Sequence, residues 1–344
     1  MLAPAEYARA RTAGYLDTAT YGLPPARTVE ALERALRAWQ DWEDWMVWER
    51  DGEACRELFA GIVGGGPEQV SLQSAVSVAA GIVAASLPAA PGDNVVCYEA
   101  DFHSCLFPFM ALERRGVEVR LRSLEGLASA CDGRTRLVAV SAVQSADGRV
   151  ADLAALRATG ARVFVDGTQA VGAIPVDLDQ VDYLAVGGYK WLLCPRGLCF
   201  VWVRPERLEE IEPWLAGWKS YDEVYERYYG TPRTLANSAR RLDTSLAWHV
   251  AAGSRASLSL IAELGSERIS AHNRALTRRF CEALDLAPTG SSIVQVSPAN
   301  PEIASERLLR EGIRCATRAG ALRFAFHLYN TEADVDLAAE ALRS

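Results

Sequence analysis

Between residues 70 and 203, short apolar runs, most of which do not alternate with polar residues, take turns with helical patterns. The strand runs are 70–72, 94–98, 117–121, 137–141, 162–166, 183–186 and 199–203. Helices are predicted over 74–85, 107–115 and 153–159. A strand that is apolar on both faces must be covered on both faces, and intervening helices supply the cover. The pattern predicts an α/β fold with a mostly parallel sheet. Upstream, Pro24-Pro25 opens a predicted helix over 26–39, since proline is tolerated in a first turn. From about Trp248 the pattern changes. Helices at 250–264, 266–284, 304–311 and 332–343, with strands at 293–296 and 322–326, predict a smaller α+β unit. The expected division is a large domain of residues 16–247 and a small one of residues 1–15 with 248–344.

Lysine is almost absent: Lys190 and Lys219 stand alone in a chain with 36 basic residues. Any chemistry that needs a lysine amine has two places to go. The net charge of −8, with no basic run, argues against nucleic acid or an anionic membrane as partner. No apolar run reaches the ~20 residues of a membrane helix. The N-terminus lacks the basic-then-apolar pattern of a signal peptide. The eight cysteines contain no CxxC pair and read as reduced thiols of a cytoplasmic protein. His103, His249, His272 and His327 lie far apart, so a zinc site has little support and no metal is expected. Trp39, Trp42, Trp45 and Trp48 recur every third residue, which on one helix would fan across half its surface. They read as packing residues, with a substrate entrance lined by Trp45, Trp48, Trp214, Trp218 and the 221–229 tyrosines as the alternative.

Parallel α/β sheets collect ligands at the carboxyl ends of their strands. Three motifs sit there. Val165-Asp166-Gly167-Thr168-Gln169-Ala170 ends a buried strand in an acid, which is costly without a positive partner. A protonated pyridinium nitrogen is one such partner; a helix N-cap is the plain alternative. Gly187-Gly188-Tyr189-Lys190-Trp191 places a lysine directly after a strand, where desolvation lowers its pKa and lets it attack an aldehyde. Ser74-Ala75-Val76-Ser77 begins a helix, whose N–H groups and dipole can hold a phosphate or simply form a cap. No G-x-G-x-x-G follows a strand, which disfavours a nicotinamide enzyme.

Together these segments resemble the class V aminotransferase group of fold-type I pyridoxal-5′-phosphate (PLP) enzymes, which includes cysteine desulfurases, kynureninases and isopenicillin-N epimerase-like proteins. Tyr15-Leu16-Asp17-Thr18-Ala19 is similar to the group's opening motif. The resemblance implies the fold-type I architecture, with a seven-stranded type of sheet, and a homodimer with the active site at its interface. It implies Lys190 as Schiff-base lysine and general base, Asp166 on the pyridine nitrogen, Gln169 near the ring hydroxyl and Tyr189 near the phosphate. Phe102, in Phe102-His103-Ser104, falls where the ring-stacking side chain is supplied, with His103 as second choice. Arg323, before His327-Leu328-Tyr329-Asn330-Thr331, is implied as the clamp on the substrate's α-carboxylate. Arg241-Leu242-Asp243 resembles a segment that approaches the partner subunit's cofactor.

The chain departs from the family at several points. Gly187 replaces a phosphate-binding serine or threonine, and Ser145 stands where an asparagine is usual. The phosphate-helix threonine falls at Ala75 or Val76, leaving Ser74 or Ser77 to supply a hydroxyl. Desulfurases carry a nucleophilic cysteine on a long loop before the final arginine; here the stretch is short, and Cys315 reads as a structural thiol. Arg318 is a candidate second anion-binding group. The resemblance to kynureninase-like and C–S lyase members places β-elimination or β-carbon cleavage ahead of transamination or epimerisation. A degenerate, non-catalytic PLP-fold binding protein is the reading from another class.

Overall fold

A computed structural model describes residues 1–225, 228–230 and 234–343. In chain order, α1 (Ala26–Gln40) and α2 (Met46–Val63) precede β1 (Val70–Gln73) and α3 (Val76–Ser86). Then come β2 (Asn94–Tyr98), α4 (His103–Met110), β3 (Glu118–Arg122), β4 (Thr135–Ser141), α5 (Leu153–Ala158), β5 (Arg162–Asp166), β6 (Tyr183–Gly187) and β7 (Cys199–Val203). The C-terminal part holds α6 (Trp248–Leu264), α7 (Ser266–Ala283), β8 (Ile293–Val296), α8 (Pro301–Arg310), β9 (Ala316–Arg318), β10 (Ala321–Ala325) and α9 (Glu332–Arg343).

The main sheet runs β1-β7-β6-β5-β4-β2-β3. β2, β3, β4, β5 and β6 pair in parallel, and β7 is antiparallel to both of its neighbours. The mostly parallel α/β expectation therefore holds, and every residue of β2, β6 and β7 is buried. Two separate hydrophobic clusters cover the two faces of this sheet. A third cluster fills the C-terminal unit, where α7 and α9 pack on the antiparallel sheet β8-β10-β9. Tyr15 and Asp17 bridge in parallel to Arg314 and Ala325, tying the N-terminal segment to that small sheet.

Two expectations need correction. The helix predicted over 107–115 begins at His103 and gives way after Met110 to a tighter turn over 111–115. Pro108 sits inside it, where it removes one donor, which is why the sequence argues for a later start. The tryptophans of 39–48 do not share a helix. Trp39 ends α1, Trp42 stands in the connecting turn at φ 67° and is 94% exposed, and Trp48 is buried on α2.

Candidate active site

The parallel strands bring their carboxyl ends to one edge. β2 leads there into Asp101-Phe102, β5 ends in Asp166, β6 leads into Gly188-Tyr189-Lys190, and β1 leads into the start of α3. Ser141, at the end of β4, lies in register with Asp166. Residues more than a hundred positions apart thus converge on one cleft, the topological consequence of parallel pairing.

Lys190 is buried, and its Nζ lies 5.5 Å from the centre of the Phe102 ring and 5.6 Å from that of Tyr189. Burial pushes its ammonium down to about 8; Arg323, Arg318 and Arg196 push the same way, and Asp166 opposes them. Lys219 is in a different state. Its ammonium is fully buried against the Glu49 carboxylate, under the rings of Trp218 and Tyr225. Trp45, Trp48, Trp218, Tyr225, Tyr228 and Trp248 pack on one another around that pair. The proposed aromatic entrance is thus largely the wall of a buried ion pair, while Trp214 stands outside it and exposed.

Asp166 is buried, with no salt bridge among the described residues, and accepts the Thr168 N–H at 2.9 Å. Burial raises its pKa, with Thr168 and Lys190 pulling it back. Beside it lies an acid that sequence reasoning missed. Asp101 accepts the backbone N–H and hydroxyl of Ser141 and the N–H of Phe102. Burial, with Asp166 nearby, pushes its carboxyl up to about 6. Its signal was present as an acid at a strand's carboxyl end, directly before Phe102. Phe102 itself is half exposed, whereas His103 stacks on Phe107 at 4.2 Å. The geometry favours Phe102 over His103 beside Lys190.

Arg323 is buried, with both of its terminal nitrogens bonded. Nη1 donates to Ser145 O at 2.8 Å and Ser145 Oγ at 3.2 Å, while Nη2 donates to Thr20 Oγ1 at 2.7 Å and Asp17 Oδ1 at 3.2 Å. Its Nε–H is buried and has no partner among the described residues. Ser145 thus serves Arg323. Gln169 accepts from the Trp191 indole at 2.9 Å and donates to Ala19 O at 3.0 Å, which leaves one of its amide N–H groups for another ligand. The 15–25 segment runs close beneath the lysine loop: Gly22 N–H donates to Tyr189 O, and a Cβ on Gly22 would collide with the Lys190 carbonyl.

At the other end of the cleft, α3 starts at Val76 with Ala75 as its N-cap and no side-chain cap. Ser74 and Ser77 are exposed there. Gly187 leaves room for the Tyr189 ring, since a Cβ would come within 3.2 Å of it. Arg241 donates to Glu209 at 2.8 Å, and its buried Nε has no partner among the described residues. Cys315 packs against the small unit's core, and burial pushes its thiol up to about 11.

The family model for aminotransferase class-V matches residues 46–307. The chain belongs to the aminotransferase class-V family. Among curated relatives, isopenicillin N epimerase of Streptomyces clavuligerus is 30% identical over 83% of this chain and 82% of its own. The uncharacterized aminotransferase YcbU of Bacillus subtilis is 29% identical over 82% of this chain and 80% of its own. The class-V fold is also that of solved structures with low identity. A complex of the cystine C–S lyase C-DES with its reaction product cysteine persulfide has a TM-score of 0.86 at 21% identity, covering 96% of this chain and 97% of that one.

Class-V proteins are PLP enzymes, and pyridoxal 5′-phosphate is the cofactor of this chain. The residues present fit it. A buried carboxylate with no ion-pair partner among the described residues suits a protonated ring nitrogen, a buried amine of lowered pKa suits an aldehyde, and an uncapped helix start suits a phosphate. One consequence is a pH dependence. Only the neutral amine captures the aldehyde, so cofactor uptake by the apoprotein should rise about tenfold per pH unit below pH 8 and level off above it. Stopped-flow absorbance checks this; a plateau reached only near the free lysine value of about 10.4 would contradict it.

Proposed function

We propose that this class-V protein is a PLP-dependent lyase that removes a β-substituent from an amino acid. The observation that carries the reading is the absence of an exposed cysteine thiol beside a cleft that holds Lys190 and Asp166. All eight cysteines lie buried or partly buried, and Cys315 packs into a core with its thiol pushed up to about 11. Desulfurase chemistry of the cysteine-nucleophile kind therefore has no thiolate to use.

Bound PLP supplies an electron sink conjugated to the amino acid's α-carbon. The chain's own residues do the rest. Lys190 would bind the cofactor through Nζ and then take the proton from the substrate's Cα, a task suited to an amine whose pKa is about 8. Asp166 would hold the proton on the ring nitrogen, which offsets the cost of burying its carboxylate. Arg323 would orient the α-carboxylate, its Nε–H being the donor not yet taken. Phe102 would cover the ring, Ser74, Ser77 and the first N–H groups of α3 would take the phosphate, and Gln169 would meet the ring hydroxyl. The solved complex of a cystine C–S lyase on this fold supports the direction of the chemistry.

Epimerisation is the second reading, favoured by the 30% identity to isopenicillin N epimerase. It needs a second proton donor at the substrate, and Phe102 cannot be one. We also infer a homodimer in which Arg241 reaches the partner's cofactor. Product analysis separates the chemistries. A lyase releases pyruvate or alanine from a β-substituted amino acid with no keto acid added. Strict dependence on a keto acid, or inversion of Cα without release, overturns the lyase reading.

A further inference from the structure

Two arginines converge on one hydroxyl beside Lys190. Thr20 Oγ1 accepts from Arg323 Nη2 at 2.7 Å and from Arg318 Nη2 at 3.3 Å, and donates to Asp17 Oδ1 at 2.7 Å. Asp17 also bonds Arg323 directly. Arg318 has one other bond, to Thr317 O, and no carboxylate pairs with it among the described residues. One carboxylate therefore faces two guanidiniums, and Arg196, 5.2 Å over the Tyr189 ring, adds a third cation near Lys190.

The backbone fixes this arrangement. β9 and β10 join through a two-residue turn, with Arg318 opposite Ala321 and Ala316 opposite Arg323. Side chains two apart in a strand share a face, so Arg318 and Arg323 project from the same face of this hairpin. The turn residues Ala319 and Gly320 lie at φ 47° and 75°, and an alanine there is strained. A strained turn holds an unpaired, exposed arginine diagonally across from the proposed carboxylate clamp. Like charges so placed repel unless an anion arrives between them.

We propose that Arg318 receives a second acidic group of the substrate, so that the preferred substrate is an amino acid carrying a carboxylate or comparable anion on its side chain. This rests on the reading that Arg323 takes the α-carboxylate. The test is equilibrium binding to the PLP-loaded protein, read from the cofactor's absorbance, which does not depend on which bond is later broken. L-glutamate and L-aspartate are compared with L-glutamine and L-asparagine. The acids should bind about ten- to a hundredfold more tightly, the value of one charge-assisted contact. In Arg318→Gln the acid-to-amide ratio should fall to about one. Arg318→Lys should restore part of it, a result that general damage to the fold would not give. A ratio near one in the unaltered protein, or a ratio unmoved by Arg318→Gln, overturns the proposal. 4-Aminobutyrate, which lacks the α-carboxylate, tests the underlying reading separately. If it binds as tightly as L-glutamate, the assignment of Arg323 fails, while the acid-to-amide ratio still decides the role of Arg318.

Discussion

Lys190→Ala should leave a folded protein that no longer gives the absorbance of lysine-bound PLP and no longer turns over. The expected loss is at least about 10²–10⁴-fold from the proton-transfer role alone, before the loss of covalent attachment is added. The side chain is buried beside Phe102 and Tyr189, and among the described residues none of its Nζ contacts is a hydrogen bond or ion pair. Removing it therefore breaks no bond that holds the cleft together, and the defect should be chemical. Lys190→Arg sharpens the point. A guanidinium keeps the positive charge but stays protonated at any accessible pH, so it can neither take a proton nor attack an aldehyde. Lys190→Arg should be as inactive as Lys190→Ala. Visible absorbance on loading with PLP, together with circular dichroism for folding, reads both variants. Persistence of the lysine-bound absorbance in either would remove Lys190 from the site.

Much of this cleft was legible because its pieces are local. Strands 162–166, 199–203 and 293–296 and helix 332–343 were read with the ends the structure shows. Their apolar runs are bounded by glycine, proline or charge. Asp166 and Lys190 were visible because each sits at a strand's end, a place that can be found from the run before it. What could not be read was the pairing of distant positions. Asp17 bonds Arg323 from 306 residues away, and Ser145 does so from 178. Helix α2 escaped notice for a related reason. Glu49, Asp51 and Arg56 are buried on it among Trp48, Cys55, Phe59 and Ala60, so charged side chains interrupt the apolar stripe that marks a helix. The partners that make that face stable lie elsewhere: Arg56 bonds Asp243, Glu49 bonds Lys219 and Trp248, and Asp51 bonds Arg255. Three-residue β9 is too short to leave any pattern, yet it places Arg318.

The second lysine gives the other large effect, and its sign is structural. Lys219 and Glu49 expose 1% and 0% of their side chains. Glu49 also accepts from the Trp248 indole at 2.8 Å and the Tyr225 hydroxyl at 3.2 Å, so its carboxylate is the hub of the aromatic cluster. Lys219→Met would leave that carboxylate buried without its ammonium. Breaking a buried pair from one side costs about 3–5 kcal/mol, because the remaining charge keeps its desolvation penalty and loses its compensation. The double variant Lys219→Met with Glu49→Gln removes both charges, and should recover much of that loss. Chemical denaturation of Lys219→Met, Glu49→Gln and the double variant measures the coupling; equal stability of Lys219→Met and the double variant would show that the pair is not buried in solution. The same variants also separate the two lysines by function. Because Lys190 remains, folded Lys219→Met should still give the lysine-bound PLP absorbance, whereas Lys190→Ala should lose it at full stability. The scarcity of lysine reduces the choice of amine to two; Lys219 is buried in an ion pair and Lys190 lies beside the Phe102 and Tyr189 rings, which favours Lys190 as the amine we propose.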